Sequence, residues 1–341
     1  MYRRGVRPRS ALLASLSLPL FLALALAGCD GGTDPETTAG NTGGNGGSGA
    51  AAGGETTGGG GAGGGQGGAG ATGGGGDAVA HTTPDAKFIP TAVGACPEFA
   101  DGMVTVSPDA GPRDVRVWIS EAAASQDGPL VFFWHGVGGS PTDATYALGN
   151  TVINEITAMG GMVVAPVHDP AAGQFPWYLT LGGTNETDLL VMDEVLACAI
   201  QKVGVDMRRI HSVGFSAGAM NTTQVGWRRS GYIASVVTFS GAQLGNEPPD
   251  QDPTNLFPAM VVHGGPEDIV VIKFMDNSIK YHEYLKSLGH FSFLCNHNKK
   301  HTVPTDIRGP AWQFLQDHPF GQQPEPYAGG LPGSFPAYCS L

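Results

Sequence analysis

Positive charge is what this 341-residue chain is short of: 18 lysines and arginines face 30 aspartates and glutamates, a formal net charge of −12. Phosphate recognition needs clustered Lys and Arg, so the deficit excludes a nucleic-acid-binding role. Long apolar runs are scarce too. The strongest, residues 11–27, is cut by Pro19 and is short for a permanent membrane span. Metal-ligand patterns are missing. His168, His211, His282, His290 and His318 have no partners at ligand spacing, and His297 with His301 lacks the glutamate of a helical H-E-x-x-H arrangement. No metal and no organic cofactor is expected.

Glycine, in contrast, is abundant at 54 residues, and it is unevenly spread. The N-terminus has the layout of a secretory signal: Arg3, Arg4, Arg7 and Arg9 precede the apolar stretch, which ends in Leu26-Ala27-Gly28-Cys29. That ending resembles the lipobox of bacterial lipoproteins, which implies cleavage after residue 28 and a diacylglycerol on Cys29. Removing residues 1–28 takes away four arginines and no acid, leaving 14 basic against 30 acidic side chains. Such a surface is not drawn to anionic lipid by charge, so membrane attachment is expected through the lipid alone. The expected location is an exported, membrane-anchored lipoprotein on the periplasmic or cell-surface side. Residues 29–84 read as a disordered tether. The stretch is mostly Gly with Thr, Ala and Asn, lacks apolar periodicity, and cannot offset its ordering entropy by burial. About 50 such residues reach on the order of 40 Å.

Past residue 84 the composition changes, and residues 85–341 read as one domain. Short apolar runs alternate with helical periodicity: strands at 115–119, 130–134, 162–167, 210–215, 233–239, 259–263 and 291–294, and helices at 144–159, from Asp188, 217–229 and 271–288, with a short one near Trp312. The run 130–134 is continuously apolar, as a strand buried on both faces requires. Alternation of this kind implies an α/β fold, three layers around a mostly parallel sheet.

Chemistry concentrates at four strand ends. Gly214-Phe215-Ser216-Ala217-Gly218 has the form G-x-S-x-G between a strand and a helix, the context of a nucleophile elbow. A serine hydroxyl needs a base, and the base an orienting carboxylate. Downstream, a strand runs into His263-Gly264-Gly265-Pro266-Glu267-Asp268, and the last strand is followed by two histidines, His297 and His301. Upstream, residues 130–134 run into His135-Gly136-Val137-Gly138-Gly139, a loop whose backbone can approach a developing oxyanion. Its donors are assigned to the N–H groups of Ala217 and Val137. Phe175-Pro176-Trp177-Tyr178 lies after another strand, where Trp177 and Tyr178 either line a substrate pocket or pack as a lid onto the core.

Together the segments WHGVGGS, GFSAGAM, HGGPEDIVV and CNHNKKHTVP resemble the polyhydroxybutyrate-depolymerase and feruloyl-esterase (LpqC-like) branch of the α/β-hydrolases. The resemblance runs from about Val115 to the end of the domain. It implies a Ser216–Asp268–His301 triad and hydrolysis of carboxylic esters, either polysaccharide-linked aryl or acetyl esters or polyhydroxyalkanoate-type esters. The chain departs from the pattern at Ala219, Asn298 and Lys300, where glycines are usual, and Glu267 is the alternative acid. A serine peptidase of the same fold and a non-catalytic tethered binding module are the rival readings. Four further cysteines, Cys96, Cys198, Cys295 and Cys339, suffice for two disulfides in an oxidising compartment. Of the three connectivities, Cys96–Cys339 with Cys198–Cys295 would pin the domain's ends and tie a helix to the segment before the last loop.

Overall fold

The computed structural model describes residues 88–245 and 247–341. The signal segment, the tether and Cys29 lie outside them. Within the described residues a nine-stranded sheet forms the middle layer. Its core is β3 (Leu130–Trp134), β4 (Met162–Pro166), β5 (Ile210–Phe215), β6 (Ser235–Phe239), β7 (Ala259–His263) and β8 (Ser292–Asn296). These six strands pair in parallel, in the spatial order β4-β3-β5-β6-β7-β8. Two strands the sequence reading passed over, β1 (Gly102–Val106) and the terminal β9 (Cys339–Ser340), close the sheet antiparallel, the former through β2 (Arg113–Trp118).

Side-chain alternation along β3 sorts the core into two layers. Leu130, Phe132 and Trp134 face one cluster with Leu189, Met192, Leu196, Trp227, Tyr281 and Leu285. Those partners come from α3 (Thr187–Lys202), α4 (Ala217–Arg228) and α5 (Phe274–Ser287). Val131 and Phe133 face the other cluster, built by α1 (Asp143–Ala147), α2 (Asn150–Ala158) and α6 (Arg308–Asp317). Burying each large side chain of β3 contributes roughly 1.5–3 kcal/mol. The single helix expected over 144–159 is two helices, because Gly149 takes φ 81° between them. A right-handed helix cannot pass through that conformation.

The expected cysteine pairing is overturned. Cys96 bonds Cys198, and Cys295 bonds Cys339. The reason is local packing. The chain before β1 runs along α3, where the Val93 and Gly94 N–H groups donate to the Glu194 carboxylate, so Cys96 arrives over Cys198. At the other end β9 pairs with β8 in a register that sets Cys339 directly opposite Cys295. Closing a 102-residue separation in the first case contributes roughly 4–5 kcal/mol through the unfolded state.

Strand order fixes where a site can form. β4 lies on one side of β3 and β5 on the other, so the chain reverses its direction of travel across the sheet at β3. Loops leaving the carboxyl ends of β3 and β5 therefore part to opposite faces and leave a crevice.

Candidate active site

Ser216 stands at that crevice, immediately after β5 and before α4, with φ 56° and ψ −122°. A non-glycine residue there costs about 1–3 kcal/mol and persists only where its surroundings enforce it. Packing does the enforcing. A Cβ on Gly214 would collide with the Gly218 carbonyl, and one on Gly218 with the Trp134 carbonyl. The two motif glycines thus let α4 descend onto β5 and β3 and hold the turn sharp. Ala219, a departure from the usual glycine, is accommodated by Gly241, where an added Cβ would come within 3.1 Å of the alanine methyl.

Three residues from three strand ends converge in one hydrogen-bonded chain. The Ser216 hydroxyl donates to His301 Nε2 over 2.9 Å, and His301 Nδ1–H donates to Asp268 Oδ1 over 2.7 Å. That assignment of protons follows from the acceptor-only carboxylate. The second oxygen of Asp268 accepts from the Ser240 hydroxyl at 2.7 Å and from the Gly264 N–H at 2.8 Å. Burial of this fully enclosed carboxyl opposes its ionisation. The bonds from His301, Gly264 and Ser240 outweigh the burial and hold its pKa below the ordinary aspartate value.

The alternative residues are placed elsewhere. Glu267 is exposed and paired with Lys300 at 3.1 Å, a surface contact worth at most about 1 kcal/mol. His297 is buried away from Ser216, its Nδ1 accepting from the Lys299 N–H, and burial lowers its pKa. His301 has both ring nitrogens engaged, so the two histidines do not form a metal pair. The loop carrying His301 keeps a left-handed backbone without glycine: Asn298 has φ 54° and Lys300 φ 62°. It is fastened by the Lys300 N–H to the Gly264 carbonyl and by the Tyr146 hydroxyl, which accepts from the Val303 N–H.

On the other side of Ser216 the loop after β3 passes close enough that a Cβ on Gly136 would lie 3.1 Å from the serine Cβ. The Ala217 N–H, in the first turn of α4, and the Val137 N–H have no acceptor among the described residues. Ala217 follows Ser216 directly, and Val137 follows Gly136 in the loop that passes the serine. Trp177 does not wall a pocket. It is 1 % exposed and lies beneath this loop, donating from Nε1 to the His135 carbonyl at 2.8 Å, with its ring against His135. Its size and its N–H suit an internal brace better than a wall. The Tyr178 hydroxyl is likewise occupied, donating to Asp169 in a cluster with Arg113 and Asp188.

Ser240, Tyr146, Phe215 and Phe274 also touch the site, and sequence reasoning gave none of them a role. Ser240 follows β6 with φ 52°. A polar residue at a buried strand's carboxyl end was the available signal.

Comparison with known proteins agrees with this architecture. Residues 189–318 match the model of the phospholipase/carboxylesterase family, a stretch that includes Ser216, Asp268 and His301 but not the loop after β3. No curated protein matches the chain. Among solved structures, a complex of a pOPH variant with DMSO superposes with a TM-score of 0.59 at 16 % identity, over 72 % of this chain and 95 % of the other. Native sOPH does so with a TM-score of 0.57 at 17 % identity, over 72 % and 96 %. The chain has the α/β-hydrolase fold.

Proposed function

We propose that this chain is an exported serine esterase that hydrolyses carboxylic esters through Ser216, His301 and Asp268. The observation that carries the reading is the unbroken hydrogen-bonded chain from Asp268 through His301 to the Ser216 hydroxyl. His301 takes the hydroxyl proton as Ser216 Oγ attacks the ester carbonyl carbon. The carbonyl electron pair moves onto oxygen, which the Ala217 and Val137 N–H groups receive. Collapse of the intermediate expels the alcohol with the proton from His301. Water repeats the sequence on the acyl-enzyme and releases the acid. Asp268 orients the imidazole and stabilises its cation.

Among aryl, acetyl and polyhydroxyalkanoate-type esters, the surroundings favour an apolar ester. Ile269, Val270 and Val271 follow the triad acid directly and are 51–58 % exposed, and Val137 is exposed on the facing loop. Exposed aliphatic side chains next in sequence to the site residues offer apolar contact. The lipobox-like ending at Cys29 supports a lipid anchor, and two disulfides suit an oxidising compartment.

The test is fluorophosphonate labelling of the full chain beside Ser216→Ala and His301→Ala. Labelling of the parent and of neither variant is expected. A folded parent that does not label would sink the proposal in favour of a tethered binding module. Loss of membrane partitioning in Cys29→Ser is the corresponding expectation for the anchor.

A further inference from the structure

We infer that Phe215 and Phe274 form an aromatic clamp that positions the His301 imidazole, an inference resting on the reading of Ser216 as nucleophile. The Phe274 ring lies 4.6 Å from the His301 ring, centroid to centroid, with 26° between planes. Phe215 lies 4.8 Å away with 32° between planes. Both rings pack on the imidazole, Phe274 stacked and Phe215 tilted, and the two phenylalanines make no ring contact with each other among the described residues.

Each jaw is held from behind. Phe215 is the last residue of β5 and meets Tyr146 edge-on at 5.9 Å, and the same tyrosine fastens the His301 loop at Val303. Phe274 opens α5 and packs on Met220 and Ala242 in a small cluster apart from both main cores. Its N–H donates to the Asp268 carbonyl at 2.9 Å, and an antiparallel bridge between Ile269 and Lys273 closes the intervening turn. The chain therefore leaves the triad acid, makes a pinned excursion, and returns to lay a ring on the triad histidine.

The clamp answers a physical need. His301 rides on a loop whose Asn298 and Lys300 occupy unfavoured backbone conformations, and two in-plane hydrogen bonds leave its ring free to tilt. Two faces remove that freedom and keep Nε2 on the Ser216 hydroxyl. They also present π density to the imidazolium formed when the serine proton is taken, which Asp268 alone would otherwise stabilise. Phe215 and Phe274 act through His301 and are positioning residues.

The test uses the full chain, with histidine carbon-13 labelled and His301 identified by its loss in His301→Gln. Phe215→Leu and Phe274→Leu keep apolar bulk but remove a face, whereas Phe215→Tyr keeps one. In the parent the His301 carbon-bound protons should be shifted upfield by the ring currents, and each leucine variant should lose part of that shift. Fluorophosphonate labelling should slow roughly tenfold in each leucine variant and stay within about twofold of the parent in Phe215→Tyr, with thermal unfolding confirming that each variant is folded. Leucine variants that label as fast as the parent, or an unshifted His301 in the parent, would overturn the clamp alone. A parent that does not label at all overturns the nucleophile reading and the positioning role with it. Should one leucine variant fail to fold, the other and the tyrosine variant still decide.

Discussion

Histidines line both edges of the sheet, but only at the carboxyl edge does one of them link a serine to a carboxylate. At the amino edge His211 bonds the Ser235 hydroxyl, His282 the Ser292 hydroxyl, His290 the Phe257 carbonyl and His318 the Phe314 carbonyl. These rings are buried wedges between strand starts. Burial, the leading cause in each case, lowers His211 to about 3 and His282 to about 4. At the carboxyl edge His301 keeps some exposure and is bonded to a serine and a carboxylate rather than to a neighbouring strand. The carboxyl edge also holds all four non-glycine residues with positive φ among those described: Ser216, Ser240, Asn298 and Lys300. Strained backbone has been gathered at one edge, while the histidines of the other are packed between its elements.

The largest expected effect breaks that contrast at its centre. Ser216→Gly should abolish ester turnover, a loss on the order of 10⁴-fold or more, yet raise stability by about 1 kcal/mol because glycine accepts φ 56°. Activity assays beside urea unfolding check both halves, and a stability loss would mean the elbow is not strained. Asp268→Asn should lower turnover by roughly 10³–10⁴-fold, since the amide favours the wrong histidine tautomer. A crystal or NMR observation of the His301 proton position would test the cause.

A third expectation concerns the amino edge. His211 and His282 have folded pKa values below their unfolded value of 6.5, so the unfolded chain binds more protons between about pH 6.5 and 4. Stability should therefore fall as pH drops through that window. Asp268, held below 3.8, keeps its charge throughout it. Urea midpoints at pH 7.5 and 5 measure the fall, and His282→Gln should flatten part of it. Equal midpoints would refute the wedge interpretation. The smallest effect is Lys300→Gly, which should stabilise by about 1 kcal/mol through relief of φ 62°, less the small contribution of the Glu267 pair.

What the sequence disclosed followed the same division. β3 and β7 were legible because continuous apolar runs bounded by glycine or proline have few other uses in a fold of this size. Ser216, Asp268 and His301 were nameable because each sits in a short motif at a strand end. Contacts between distant segments left no such mark. Ser240 reaches Asp268 across 28 residues, and Phe274 reaches His301 only because a turn of set length returns it there. Trp177 stayed open between pocket lining and core-packed lid because its loop position was visible and its burial was not. Disulfide partners depended on where β9 and the leading segment came to lie, which spacing does not encode.

The excursion from Ile269 to Lys273 separates two kinds of constraint. Its base, fixed by the Ile269–Lys273 bridge and the Phe274 N–H, sets where the phenyl ring falls. Its tip, Val270 and Val271, is solvent-facing and carries no such duty. The segment is thus an exchangeable cassette of fixed length. Side chains at the tip are free to vary, whereas inserting or deleting a single residue would move the ring that packs on His301.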